Sequence, residues 1–292
     1  MKILLTGASG LFGSEFHRYS NEQGATVILL DRRSFSWTDH DANIKALEGV
    51  DCIVHAAANT NVEACELDPS TCYKDNALFT ERLSYAASHA GCKFVYISST
   101  GIYGTHKENE PYHEYDDVRP TTHHHRAKWL SEKNVSRTSN QNLIVRVGWL
   151  FGGAPDNPKN FVARRIEEAL RNQGSVISSN QEQKGVPTFV KDVVQTLYKL
   201  IINNETGIFN LVNQGAGSRF DYVSSIVEAA AINTKVIPAS ANSFNRHAKV
   251  SDNEMAINLK LEQLGYPALP HWKERLRDYI GNDLKHWLSE QK

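Results

Sequence analysis

Five short apolar runs, Ile3–Leu5, Val27–Leu30, Cys52–His55, Phe94–Ser98 and Leu143–Val147, punctuate the first half of the chain, and longer mixed segments separate them. Runs that are apolar at nearly every position suit strands buried on both faces. The alternation with longer segments predicts an α/β fold built on a doubly wound parallel sheet. Two later runs, Gly174–Ile177 and Ile208–Val212, add candidate strands, and from about Ala216 onward the pattern reads as helices joined by loops. Between His271 and about Leu288, Trp272, Leu276, Tyr279, Ile280, Leu284 and Trp287 recur at spacings of three and four, which predicts an amphipathic helix that packs on a core. Neither internal repeats nor a low-complexity linker interrupt the chain.

The first strand runs into Thr6-Gly7-Ala8-Ser9-Gly10-Leu11-Phe12-Gly13. Glycines at this spacing, after a strand and before a helix, are the context in which a backbone turns under a dinucleotide pyrophosphate. Gly7 permits the tight turn, Gly10 lets the backbone approach phosphate, and Gly13 lets the helix pack on the sheet. Eighteen residues after Gly13 the second strand ends in Asp31, close to the offset of roughly 20 at which a carboxylate accepts ribose hydroxyls. Asp31 favours NAD, while Arg32 and Arg33 directly after it suit the extra phosphate of NADP, so both cofactors stay open. The expected organisation is a Rossmann-type NAD(P)-binding domain over residues 1–152. Residues 153–292 then hold the remaining Rossmann strands, interleaved with a smaller, mostly helical C-terminal substrate lobe.

At 292 residues the chain can bury a full core. Its 32 basic and 33 acidic residues nearly cancel, which removes the global field that would draw it to nucleic acid or anionic lipid. No apolar stretch approaches the roughly 18 residues of a membrane span. The four cysteines, Cys52, Cys65, Cys72 and Cys92, form no Cys-x-x-Cys pair, and the glycine loop follows Met1 too closely for a signal sequence, so a reducing cytoplasm is expected. The run His123-His124-His125 is a poor metal site, because consecutive helical positions do not converge on one ion.

The glycine loop, His55-Ala56-Ala57-Ala58, the stretch Tyr96-Ile97-Ser98-Ser99-Thr100-Gly101-Ile102-Tyr103-Gly104, and Lys128 together resemble an extended short-chain dehydrogenase/reductase. The remainder is most similar to the dTDP-4-dehydrorhamnose reductases and their relatives, through Asn76-Ala77, Pro111-Tyr112, Val145 to Gly152, Asn160-Phe161, Gly185 to Thr188, Gly207 to Val212, the region around Arg246, and Leu269 to Trp272. The resemblance covers essentially the whole chain. It implies that Ser99 hydrogen-bonds the reacting carbonyl, that Lys128 holds the nicotinamide ribose, and that position 124 is the catalytic tyrosine position. It also implies that Gly7, Gly10, Leu11, Phe12, Gly13, Asp31, Arg32, Ala56, Ala57 and Ala58 bind the cofactor, with Trp37 beside the adenine. Thr100, Trp149, Asn160, Pro187, Thr188 and Arg246 become the substrate contacts, Arg246 as the grip on a diphosphate. A homodimer is compatible with this reading.

The departures from the family lie at the chemistry. Position 124 is a histidine, four residues before Lys128 and so on the same helical face. An imidazolium with an ordinary pKa of about 6.5 can give a proton near neutrality, but a neighbouring ammonium opposes its protonation. By resemblance the reductases follow their threonine with Asp-Tyr-Val-Phe, whereas Ser99 is followed by Thr100-Gly101-Ile102-Tyr103. No Asp-Glu pair stands there to eliminate water, which disfavours dehydration. The expected activity is NAD(P)-dependent reduction of a keto group on a nucleotide-linked deoxysugar. The alternatives are a cofactor-binding subunit without turnover, and a sugar-nucleotide epimerase.

Overall fold

The computed structural model describes residues 1–31 and 35–291. Its centre is a parallel sheet of β1 (Lys2–Thr6), β2 (Thr26–Leu30), β3 (Cys52–His55), β4 (Lys93–Ser99), β5 (Leu143–Val147) and a sixth strand, Gly207–Leu211. The spatial order is β2, β1, β3, β4, β5 and then the sixth strand. All five neighbouring pairs are parallel. From β1 the chain passes to β2 on one side and later to β3 on the other. That reversal opens a crevice outside the carboxyl ends of β1 and β3, where ligands bind in such sheets.

Successive strand residues point to opposite faces, and both faces are covered. Ile3, Leu5, Val54, Val95, Val145 and Phe209 pack with Leu11, Phe12 and Phe16 of α1 (Leu11–Glu22) and with Val190, Val193 and Leu197 of the Val190–Ile202 helix. Leu4, Ile53, Phe94, Tyr96 and Ile144 point the other way, onto Phe79, Leu83, Ala86 and Val135. The apolar run at β2 differs from the others. It is the edge of the sheet, and Ile28 and Leu29 stay exposed there.

The second lobe has its own core of Trp149, Phe151, Ile166, Tyr222, Ile226, Trp272, Leu276 and Tyr279. The segment beyond Ala216, expected as helices and loops, also contains a strand, Lys235–Ala239, which pairs in parallel with Val176–Asn180 outside the main sheet. Its weak signal has a cause. Pro238 interrupts it and its residues are only partly buried, so it lacks the unbroken apolar run of a central strand. The expected helix from His271 resolves into Trp272–Asp278, a π-helical turn Tyr279–Asp283, and Lys285–Gln291. Trp272, Leu276, Tyr279, Ile280 and Leu284 are fully buried along it. Among the described residues, no helix is long and apolar enough to cross a membrane.

Candidate active site

The carboxyl ends of β1, β3, β4 and β5 open into a cleft of about 550 Å³ lined by Gly7, Gly10, Leu11, Phe12, Gly13, Ala56, Ala57, Ala58, Ser99, His124 and Lys128. A second hollow of about 420 Å³ shares Gly7, Ser9 and Ala57 with it and runs past Leu30 and Asp31 to Phe79. The two hollows meet at these shared residues and form one trough along the carboxyl ends of the strands. Its floor is made of backbone. Gly7 has φ 72°, and a Cβ there would come within 2.7 Å of the Ala57 nitrogen. A Cβ on Gly13 would run into the Gly7 carbonyl. Gly10 opens α1 without a side-chain cap, and the first turn carries no acidic residue. The unpaired N–H groups of that turn therefore face the trough, a ready site for pyrophosphate.

Beneath the trough a chain of hydrogen bonds has a defined direction. Thr80 Oγ1 donates to the Asn76 carbonyl, so it accepts from His55 Nε2 at 2.9 Å. His55 Nδ1 is then the acceptor for Thr6 Oγ1 at 2.7 Å, and Thr6 Oγ1 accepts from the Ala57 N–H at 3.1 Å. Burial, reinforced by the charge of Lys128, pushes His55 down to about 3, which keeps it the neutral partner this chain requires. The result locks Ala56–Ala58 against the glycine loop.

The helix His123–Thr138 brings His124 and Lys128 to the cleft. Thr122 caps it by accepting from the His125 N–H at 3.2 Å. Lys128 Nζ donates to the Ile97 carbonyl at 2.8 Å and sits 4.8 Å from the centre of the Tyr96 ring. Burial pushes it down to about 8, opposed by Glu132. Glu132 in turn meets Arg146 of β5 at 2.8 Å, in a buried ion pair that ties the helix to the sheet. His124 is 6% exposed and is joined to the Asn59 carbonyl by its Nδ1 at 3.0 Å. Burial, the neighbouring His125 and Lys128 hold it well below its usual range. Ser99 Oγ accepts from the Gly101 N–H at 3.1 Å, which leaves its own hydrogen free to donate into the cleft. His125 turns from the cleft onto Gly101, where any Cβ would collide with its ring.

The remaining expected contacts divide. Asp31 lies in the trough, while Arg32 falls outside the described residues, as does Arg33. Trp37 lies against Phe79, flanked by Lys74 and Arg82, one layer behind the trough wall. Thr100, Asn160 and Thr188 are buried and do not line the cleft. Asn160 caps the Phe161–Arg171 helix and donates to the Ala154 carbonyl and the Tyr279 hydroxyl. Thr188 donates to the Val186 carbonyl, and Pro187 is buried in the strand beside it. Trp149 is largely covered. The Arg219 guanidinium lies 3.5 Å from its ring centre, and its Nε1 donates to Glu254 at 2.7 Å. Arg246 is exposed, and its charge adds to that of Arg165 in opposing Arg219, which burial pushes down to about 10. Arg165 pairs with Glu168 at 2.7 Å, and of these three arginines the sequence reading took only Arg246. Asn59, Thr60 and Lys159 were also missed. Lys159 Nζ donates to Thr60 Oγ1 at 2.8 Å across the loops at the cleft mouth. Nothing in local spacing marks residues that meet only through the fold. Among the described residues, no cluster of three or more His, Cys, Asp or Glu is placed to hold a metal ion.

A glycine loop that leaves the first strand of a doubly wound sheet for an uncapped helix, with Ser99, His124 and Lys128 gathered beside it, defines a dinucleotide-binding fold of the extended short-chain dehydrogenase/reductase type. Within that class the chain belongs to the family of the RmlD substrate binding domain, whose model matches residues 1–284. It is 26% identical to the spore coat polysaccharide biosynthesis protein SpsK of Bacillus subtilis, over 96% of each chain. It is likewise 26% identical to a dTDP-4-dehydrorhamnose reductase of Mycolicibacterium smegmatis, over 96% of this chain and 85% of that one. Among solved structures, a dTDP-4-dehydrorhamnose reductase ortholog of Clostridium acetobutylicum superposes with a TM-score of 0.89 at 29% identity, over 98% of this chain and 100% of that one. The Bacillus anthracis reductase in complex with NADP gives 0.88 at 26% identity, over 96% and 98%.

Proposed function

We propose that this protein reduces a keto group on a nucleotide-linked deoxysugar, using NADH or NADPH. The observation that carries this reading is the continuity of one trough. A backbone cradle fitted to a pyrophosphate runs directly into Ser99, His124 and Lys128. The cradle passes the steric test for a dinucleotide, since Gly7 and Gly13 leave room that a Cβ would fill. Gly7, Gly10, Leu11, Phe12, Gly13, Asp31, Ala56, Ala57, Ala58 and Lys128 would hold the cofactor. When bound, a reduced nicotinamide supplies hydride to the carbonyl carbon.

The chain's own groups act on the carbonyl oxygen. Ser99 donates its free hydroxyl hydrogen to that oxygen and polarises the bond. His124, in its imidazolium form, gives the proton that completes the alcohol. Lys128, charged up to about pH 8, holds a ribose hydroxyl and favours negative charge building on the oxygen. The arginines 165, 219 and 246 collect positive charge in the second lobe with the chemistry to grip a sugar diphosphate. The dTDP-4-dehydrorhamnose reductases among its relatives support dTDP as the nucleotide.

The test is NADH and NADPH oxidation followed by absorbance with dTDP-, UDP- and GDP-linked 4-keto-6-deoxysugars. Substrate-dependent oxidation is expected, falling about 100-fold or more in His124→Ala, the usual range for loss of a general acid. Absence of turnover with every sugar, together with turnover gained in His124→Tyr, would mean a site kept for binding alone.

A further inference from the structure

The histidine at position 124 is held by an acceptor. Its Nδ1 meets the backbone carbonyl of Asn59 at 3.0 Å, and a carbonyl oxygen has no hydrogen to give. Nδ1 must therefore carry the hydrogen. In the neutral ring Nε2 is then bare, and it has no hydrogen-bond partner among the described residues, although His124 lines the cleft. Which ring nitrogen holds the proton is set by the bond that the other one makes.

That carbonyl is itself held in place. Asn76 accepts from the Asn59 N–H at 2.7 Å through Oδ1 and donates to the Asn59 carbonyl at 3.0 Å through Nδ2. Both backbone groups of Asn59 are thus gripped by one side chain, which is buried at 1% exposure. Asn76 sits in the π-helical segment Lys74–Leu78, and its own carbonyl accepts from Thr80 Oγ1 and from Ser131 Oγ of the helix that carries His124. One residue therefore ties together the loop that presents the carbonyl and the helix that presents the imidazole.

We propose that Asn76 is a positioning residue which, through the Asn59 backbone, fixes His124 as the Nδ1–H tautomer and makes Nε2 the one atom through which this histidine exchanges a proton with the substrate oxygen. The catalytic half of the statement rests on the reductase reading, and the tautomer half does not. In carbonyl reduction by a nicotinamide cofactor, the proton leaves Nε2 for the oxygen and the ring returns to its neutral Nδ1–H form without releasing Asn59. The ionisable groups around the ring are His125 and Lys128 on its own helix, Lys159 at the cleft mouth, Glu66 and Cys65 on the Val62–Leu67 helix, and Tyr96 on β4. None of them offers Nδ1 a competing acceptor within hydrogen-bond distance.

The test is nitrogen-15 NMR of the full chain with labelled histidine at pH 7.5, with His124 assigned by its loss in His124→Gln. The Nδ1–H to Nε2–H ratio is expected between about 3 and 10, as one net hydrogen bond provides. Asn76→Ala should lower that ratio toward 1. Asn76→Asp keeps the acceptor for the Asn59 N–H, lacks the donor to its carbonyl, and should lower the ratio too, which keeps the test open where the alanine variant fails to fold. An Nε2–H ring in the unaltered protein, or a ratio that neither variant moves, would overturn the proposal. The measurement needs no substrate, so a failed reductase assay with an intact Nδ1–H signature would sink the reductase reading and leave the positioning role standing.

Discussion

Replacing a phenol by an imidazole at position 124 changes the pH range in which a proton can be given. The imidazole is buried and faces His125 and Lys128, so its acid form is scarce above its depressed pKa. Reduction with His124 as the proposed proton donor needs that acid form, so turnover should fall by about tenfold per pH unit as pH rises beyond 6.5, the ordinary pKa of the group. His124→Tyr, whose phenol stays protonated to about pH 10, should flatten the fall. A kcat profile from pH 5.5 to 8.5 measures both, and a level profile in the unaltered protein would remove His124 from the donor role. At this scale the sequence was informative where spacing along one helix decides geometry, as for His124 and Lys128. It was silent where side chains meet only in space. Arg219 went unnoticed because it owes its place to stacking on Trp149, which lies 70 positions earlier in the chain.

The start of α1 joins secondary structure to binding. An uncapped first turn leaves N–H groups facing the trough, and Gly13 allows that turn to rest on the Gly7 carbonyl. Gly13→Ala should push the helix off the strand and weaken NADH or NADPH binding by at least about tenfold, since moving the turn by even 1 Å misaligns donors that must meet phosphate. Isothermal titration checks this, with circular dichroism to show that the fold is kept; unchanged affinity in a folded variant would contradict it. Four of the five early strands were readable because each is an apolar run buried by helices on both faces, as Ile3, Leu4 and Leu5 illustrate by alternating between the two cores, and the edge strand β2 was readable from its apolar run alone. Lys235–Ala239 was not, because a half-exposed strand in a two-stranded ribbon shares its composition with a loop. The π-helical turn at Tyr279–Asp283 preserves the burial of Tyr279 and Ile280, so the apolar period alone could not reveal it.

Across the whole molecule, three buried histidines, His55, His124 and His125, are kept neutral, each with a pKa below its ordinary value and burial as the leading cause. The unfolded chain protonates such groups at about 6.5 while the folded one resists, so folding stability is full above that pH and declines as pH falls. At pH 5 a histidine whose folded pKa lies below 5 contributes a loss of about 2 kcal/mol. Thermal unfolding followed between pH 7.5 and 5 should show a steady fall in Tm, reduced in His55→Asn; a constant Tm over that interval would refute the claim. The order of the sheet carries a different consequence. Its sixth strand, Gly207–Leu211, and the Val190–Ile202 helix that covers Leu11 and Phe16 of α1 come from late in the chain. As synthesis proceeds from the N-terminus, the glycine loop and the Ser99, His124 and Lys128 region leave the ribosome well before the strand that completes their sheet. For roughly the time taken to add the intervening residues, at about 5–20 per second, the nascent chain must carry an open sheet edge at β5 and a bare apolar face on α1. The first lobe therefore cannot mature as an independent unit, and its assembly waits on a segment that lies beyond the start of the second.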